Sequence, residues 1–304
     1  MLSRRALFFA SLFLPILLKG CRSAQEDEPL SKLVIGIVSY GAHENLLDKF
    51  ERFRDYLATA TQSVVELEPA FNELNAVEQV QRQIWSMVFA PPGLAAIAIG
   101  SAQYIPLFAL QGNNKERSLL LVRQDSPIQN LSELANQVVA LGEPGSATGY
   151  YLPLYDLYGL TLQEIRFAPT PRTILEWLDQ GTIAAGALSE QEFQQYRGEF
   201  GVSKFRILHE SRTVPASVVL IAPSIDRNRQ YQIETAMRKA PSSVIGDAGY
   251  IPEAEVPNYD QFIKLVAKVR PLEARVKQKP AVLTMEQTPD GLPATPQPTS
   301  GNAN

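Results

Sequence analysis

The feature that most constrains this chain is the alternation, over residues 33–269, of short apolar runs with segments whose apolar residues return every three or four positions. Apolar runs of four to eight residues bounded by polar or turn residues read as buried strands, and the longer periodic segments as amphipathic helices. Strands are expected at 33–38, 64–67, 86–89, 104–110 and 118–123, with helices at 44–59, 76–84 and 93–100. In the first helix Leu46, Leu47, Phe50, Phe53 and Leu57 fall on one face. A second unit repeats the logic. It has strands at 138–141, 164–167, 183–188, 205–209 and 217–222, short helices at 131–136 and 173–178, and a helix entered at Ser146 and running toward Tyr158. Asp226 is placed to cap a helix to Lys239, and residues 259–269 close the body. Strands separated by helices of this length imply open α/β layers and disfavour a helical bundle, a globin or a β-sandwich.

At 304 residues with 45% hydrophobic content, the chain can bury two lobes. A formal net charge of -4, without a stripe of Lys and Arg beside aromatic residues, argues against a nucleic-acid surface. The single cysteine, Cys21, excludes an internal disulfide framework and a thiolate-rich metal site. No repeat of solenoid period is present.

Arg4 and Arg5 precede an apolar stretch, 6–18, that is shorter than the roughly 20 residues needed to span a bilayer and is interrupted by Pro15. Residues 1–20 therefore read as a signal peptide. The run Leu18-Lys19-Gly20-Cys21 resembles the bacterial lipobox, in which the cysteine is lipidated and becomes the mature N-terminus; Lys19 stands where that pattern has a small residue. Residues 21–32 would then be a polar, acidic, lipid-attached linker. At the other end, 280–304 is expected to be a disordered tail, dominated from Thr284 by Pro, Thr, Gly and Asn. Past Leu18 no apolar run reaches membrane-spanning length.

Three strand-to-helix junctions carry candidate chemistry. In Gly145-Ser146-Ala147-Thr148-Gly149-Tyr150, amides at a helix start together with two hydroxyls suit an anion or a neutral polar ligand, although Ser146 or Thr148 serving only as a cap fits the same residues. No lysine follows in phosphate-loop spacing, which excludes a nucleotide triphosphatase of that kind. Pro91, in Phe89-Ala90-Pro91-Pro92-Gly93, stands at a strand end where open α/β proteins take ligands, and it fits a rigid turn equally well. Tyr40 ends the first strand, near His43, and either lines a cleft or forms part of a wall. Glycines do not flank Ser146 as a nucleophile elbow requires, and His43 and His209 form no metal-spaced group. The chain is therefore not expected to be an enzyme, and no cofactor or metal is expected.

Over residues 33–269 the chain resembles the substrate-binding proteins of phosphate, phosphite and phosphonate ABC importers, a branch of the type II periplasmic binding proteins. Ser39-Tyr40 stands where that family's first strand meets the ligand, and Phe89-Ala90-Pro91-Pro92-Gly93-Leu94 follows its Phe-Gly-Pro-x-x-Tyr segment with Leu94 in place of the tyrosine. Residues 142–149 match its Gly-(Asp)-Pro-x-Ser-Thr-Ser-Gly loop with Ala147 in place of the middle hydroxyl. Residues 181–187 match its Gly-x-x-Asp-Ala-Gly-Ala run with Ala184 in place of the aspartate, and 214–218 match its crossing strand. The resemblance implies a two-lobed α/β fold with a ligand cleft between a first lobe (33–115 and 210–279) and a second (116–209). It implies that Tyr40, Pro91, Ser146, Thr148 and Gly149 bind a small oxyanion such as phosphate, phosphite or phosphonate, or another polar solute, with Glu143 and Glu190 near the cleft as opposing charges. Losses at Leu94, Ala147 and Ala184 would alter recognition at family positions. Ligand would hold the two lobes closed, and the expected partners are ABC permease subunits, met by a monomer on the periplasmic side of the cell membrane. That monomer would be anchored through Cys21, or free in the periplasm if Cys21 is not lipidated. The other reading is a ligand-sensing lipoprotein of the same fold, its pocket repurposed for another small solute, that signals to a membrane partner.

Overall fold

The computed structural model describes residues 31–38, 47–112, 116–201 and 203–284. Cys21, Tyr40, His43 and the residues after 284 lie outside them. The described residues belong to one compact unit that begins at Ser31.

The first sheet forms because β1 (Ser31–Val38) buries Leu33, Ile35 and Ile37 on alternate positions and pairs in parallel with both β2 (Ser63–Ala70) and β3 (Met87–Ala90). Beyond β3 the sheet continues with β11 (Val218–Ile221), β4 (Ile105–Leu110) and β12 (Tyr250–Ile251), in the order β12-β4-β11-β3-β1-β2. Those three strands join antiparallel. In β3, Met87 and Phe89 face a core under α1 (Glu51–Thr61), α7 (Arg227–Arg238) and α8 (Ser242–Ala248). Val88 and Ala90 face the opposite core under α2 (Glu73–Gln81), α3 (Pro92–Ala102) and α9 (Asp260–Val269). A sheet covered on both faces explains why its strands read as apolar runs.

The second sheet has the order β10-β5-β9-β6-β8. β6 (Val138–Leu141) is parallel to β8 (Glu164–Phe167) and β9 (Ala185–Ser189), while β5 (Arg117–Arg123) and β10 (Phe205–Thr213) join antiparallel. One face packs on α5 (Pro171–Asp179) and α6 (Glu190–Phe200). The other carries a π-turn (Ala147–Tyr151) and α4 (Leu152–Asp156), whose buried side chains join those of α2, α3 and α9 in one continuous core.

The chain passes from β4 in the first sheet to β5 in the second and returns along 214–217. The two crossings are tied to each other by Leu110 N to Ser217 O at 2.8 Å and Val214 N to Glu116 O at 2.9 Å, and Tyr259 Oη donates to Ala216 O. A third passage runs from α9 to β13 (Ala281–Val282), which pairs with β7 (Thr161–Leu162).

Several expectations are corrected. The expected tail from residue 280 begins too early, because Ala281 and Leu283 are fully buried and hold the chain in place to Thr284. The expected lobe boundary at 209/210 falls inside β10, which is held to Thr213 by Ser118 N donating to Ser211 Oγ at 2.8 Å. The long helix expected from Ser146 is a π-turn followed by a short α4, and the helix expected at 131–136 is a 3-10 turn, Leu131–Leu134. The helix α6, which the apolar pattern did not announce, starts from a capping box of Ser189 and Glu192.

Candidate ligand cleft

All the parallel strands of each sheet end on the side where the crossings lie, and the helices that follow them start there. On the first lobe, Pro91 caps α3 in extended conformation and Pro92 opens the helix, a position where a missing N–H costs nothing. On the second lobe, Gly142 follows β6 and Ser146 caps the π-turn. Ser146 Oγ accepts from Gly149 N at 3.0 Å, and among the described residues its own O–H is left for another acceptor. Tyr150 N and Tyr151 N both donate to Ser146 O, and Gly142 N donates to Gly149 O. The amides of Ala147 and Thr148 stay unpaired among the described residues, as the first amides of a helical segment do. Gly149 leaves little room for a side chain: a Cβ there would lie 3.1 Å from Ser146 Oγ and 3.3 Å from Gly142 Cα, so either neighbour would have to give by a few tenths of an ångström. Thr148 is buried beside it.

Ser146, Thr148 and Gly149 are thus brought together on one turn, and Pro91 stands at the start of the helix that packs against that turn. The two lobes touch here through bare backbone, since a Cβ on Gly93 would run into Gly145 O and lie 3.0 Å from the Tyr151 ring. Tyr40 lies outside the described residues. Leu94 and Ala147 are both buried, Leu94 fully within the shared core. Ala184 is corrected: its amide bonds Val138 O, at the start of β6 and β9, the end opposite the cleft, so the missing aspartate leaves the cleft's lining unchanged. The cleft end of β9 is Ser189.

Two cavities flank the Gly93–Gly145 contact. One, of about 200 Å³, lies against the crossings and is lined by Pro92, Gln111, Glu116, Gln191, Pro215 and Ser217 among others. Burial pushes the Glu116 carboxyl above its ordinary range, a hydrogen bond from Ser189 opposes that shift, and the Glu192 charge adds to it. The other, of about 420 Å³, lies between the start of α2 and the 143–144 loop and is lined by Glu73, Glu143, Tyr150, Arg270, Glu273 and Lys277 among others. Glu143 therefore faces this second cavity. Glu190 sits 3.8 Å from Arg117 Nε, and the same guanidinium bonds Glu210 at 3.0 Å, which offsets the repulsion expected of Glu190 toward an anion.

Outside the cleft, His209 Nε2 lies 3.3 Å from Asp156 Oδ2 and is held there as a structural pair. Burial raises the Asp156 carboxyl against the opposing effect of His209. Among the described residues, no group of three His, Cys, Asp or Glu is placed to hold a metal, and no helix is long and apolar enough to cross a membrane. Sequence reasoning missed Glu73, Glu116, Gln111 and Gln191. Gln191 lies within the Ser189-x-x-Glu192 capping pattern, which would have located the start of α6 and its neighbours.

A family model described as ABC transporter, phosphonate, periplasmic substrate-binding protein matches residues 35–254. Among solved structures, a Xanthomonas citri protein, XAC2383, bound to ATP has a TM-score of 0.64 at 20% identity, over 78% of this chain and 96% of that one. PhnD1 from Prochlorococcus marinus in complex with methylphosphonate has a TM-score of 0.58 at 15% identity, over 78% and 98%. A binding protein component of an ABC phosphonate transporter from Pseudomonas aeruginosa, PA3383, has a TM-score of 0.52 at 14% identity, over 73% and 80%. At these identities the likeness is one of fold. No curated protein matches the chain by sequence.

Proposed function

The chain belongs to the family of periplasmic substrate-binding proteins of phosphonate ABC transporters, the solute-binding components of importers that hand their cargo to membrane permease subunits, and from that premise we propose that its cleft takes a small oxyanion such as phosphate, phosphite or a phosphonate. The observation that carries the reading is the 145–149 turn. It follows a parallel strand at the inter-lobe face, keeps two amides unpaired among the described residues, and sets the Ser146 hydroxyl and Thr148 beside them. Amides at a helix start carry partial positive charge, so an oxyanion there needs no lysine. Tyr40 and Pro91 would close on it from the first lobe, and Gly149 keeps the turn tight enough for the amides to converge. The chain binds its solute without transforming it.

Isothermal titration of the protein with methylphosphonate, phosphate, phosphite and sulfate tests the reading. Binding of at least one phosphorus oxyanion is expected, and Ser146→Ala should weaken it about tenfold, the worth of one charge-assisted hydrogen bond. Absence of binding by all four, or unchanged affinity in Ser146→Ala, would overturn the oxyanion site. One observation favours a second reading. Among the described residues, the cavity at the crossings carries Glu116, Gln111 and Gln191 and no basic side chain, which suits a neutral or cationic polar solute and a repurposed, sensing lipoprotein. Binding of such a solute with no response to oxyanions would select it.

We also propose that Cys21 is lipidated and holds this module at the periplasmic side of the membrane.

A further inference from the structure

Tyr151 ends the π-turn of the second lobe, and its phenol donates to Glu73 Oε1 in the first turn of α2, on the first lobe. Both ends are enclosed: Tyr151 is 0% exposed and Glu73 9%. The junction admits only glycine on its backbone sides. A Cβ on Gly145 would stand 2.6 Å from Glu73 Cβ, and one on Gly93 would stand 3.0 Å from the Tyr151 ring. The Glu73 side chain thus lies on the bare backbone of the 145–149 turn, while the Tyr151 ring lies on the bare backbone of α3. Because the two partners hang from different sheets, their hydrogen bond exists only while the lobes are together.

We propose that the Glu73–Tyr151 pair is a latch between the lobes that positions the Ser146–Gly149 turn against α3 before any solute arrives, and that gain or loss of a proton by Glu73 sets its strength. The inference rests on the two-lobed fold and holds whatever solute the cleft takes. The groups that face Glu73 are Tyr151 and Tyr150 from the π-turn, Glu143 from the loop before it, and Arg270, Glu273 and Lys277 from the segment after α9. Burial is the largest influence and raises the Glu73 carboxyl to about 7; the Tyr151 hydrogen bond lowers it, the Glu273 charge raises it and Arg270 lowers it. In an opened cleft the carboxyl meets water and returns to the ordinary range, so the closed form holds the proton more tightly. Raising the pH from 5 to 7 therefore favours opening, by up to about tenfold per pH unit, with little further change above 7.

The test uses the full chain carrying Cys21→Ser, with spin labels at Glu51→Cys and Gln195→Cys, exposed positions on α1 and α6. Inter-label distances are measured without ligand at pH 5 and pH 7.5. The parent is expected to show a short distance at pH 5 and a growing longer population at pH 7.5. Glu73→Gln keeps an acceptor for the phenol and cannot titrate, so its distances should stay short at both pH values. Tyr151→Phe removes the donor and should enlarge the long-distance population at both, with circular dichroism showing an intact fold. Distances in the parent that ignore pH, or a Glu73→Gln protein that responds to pH as the parent does, would overturn the latch. Neither result bears on whether an oxyanion binds, which the calorimetry decides separately.

Discussion

Gly149 and Ser146 act as a pair, the hydroxyl filling the space that a side chain at 149 would need. Gly149→Ala should therefore displace the Ser146 cap, with a loss of about 1 kcal/mol of stability in denaturant unfolding and weaker solute binding in the same preparation. Glu73 gives a second residue-scale expectation. Its carboxyl is raised in the folded protein, so its contribution to stability is complete below the ordinary carboxylate range and is lost as the pH rises through about 7. Unfolding measured at pH 4.5 and pH 7.5 should show a decline in the parent, of at most about 3 kcal/mol from this group, and a flatter response in Glu73→Gln. A steeper decline in the variant would contradict the assignment. At this scale the sequence exposed Ser146, Thr148, Gly149 and Pro91, because each sits at a strand-to-helix junction that apolar patterning marks. Glu73 and Glu116 were hidden. Glu73 reads as an ordinary acidic first-turn residue and Glu116 as part of a polar surface turn; the second lobe's Tyr151 covers the first, and Ser189 and Glu192 stand beside the second.

The strands were legible as elements since both sheets are covered on two faces, which makes β3, β5, β6, β9 and β11 short apolar runs. What the pattern could not supply was the manner in which helices begin. The π-turn depends on Gly142 N reaching Gly149 O and on Ser146 O accepting two amides, a geometry that no local periodicity encodes. The helix α6 lacks a wide apolar stripe, burying Phe193 alone among its residues, so its evidence lay in its cap. Ser189 serves that cap twice, with Oγ accepting from Glu192 N at 3.1 Å and its own amide donating to Glu192 Oε2 at 2.8 Å. Ser189→Ala should cost about 1 kcal/mol, seen as a lower denaturation midpoint with an unchanged slope. A changed slope would mean that more than the first turn of α6 had loosened. Ala184 illustrates the converse: the motif match places it at a recognition position, and the β6–β9 register places it at the strand end opposite the cleft.

For the whole molecule, the two sheets are joined by paired crossings and by a third passage through α9 to β13, and a single apolar core continues under both. Closure in such a body is a change at the strand-end face, with the crossings as its axis. Cys21→Ser is expected to bind solute as the parent does while leaving the membrane fraction on cell fractionation, and retention in that fraction would rule out the anchor. The pairing of β13 with β7 also bears on the order of assembly. Thr161 and Leu162 wait for partners at Val282 and Ala281, so the second lobe is completed by almost the last part of the described chain. Contacts so distant in sequence form late. During synthesis the amino-terminal two thirds would emerge with that edge uncovered, and the native body can be sealed only once the carboxyl-terminal segment is free.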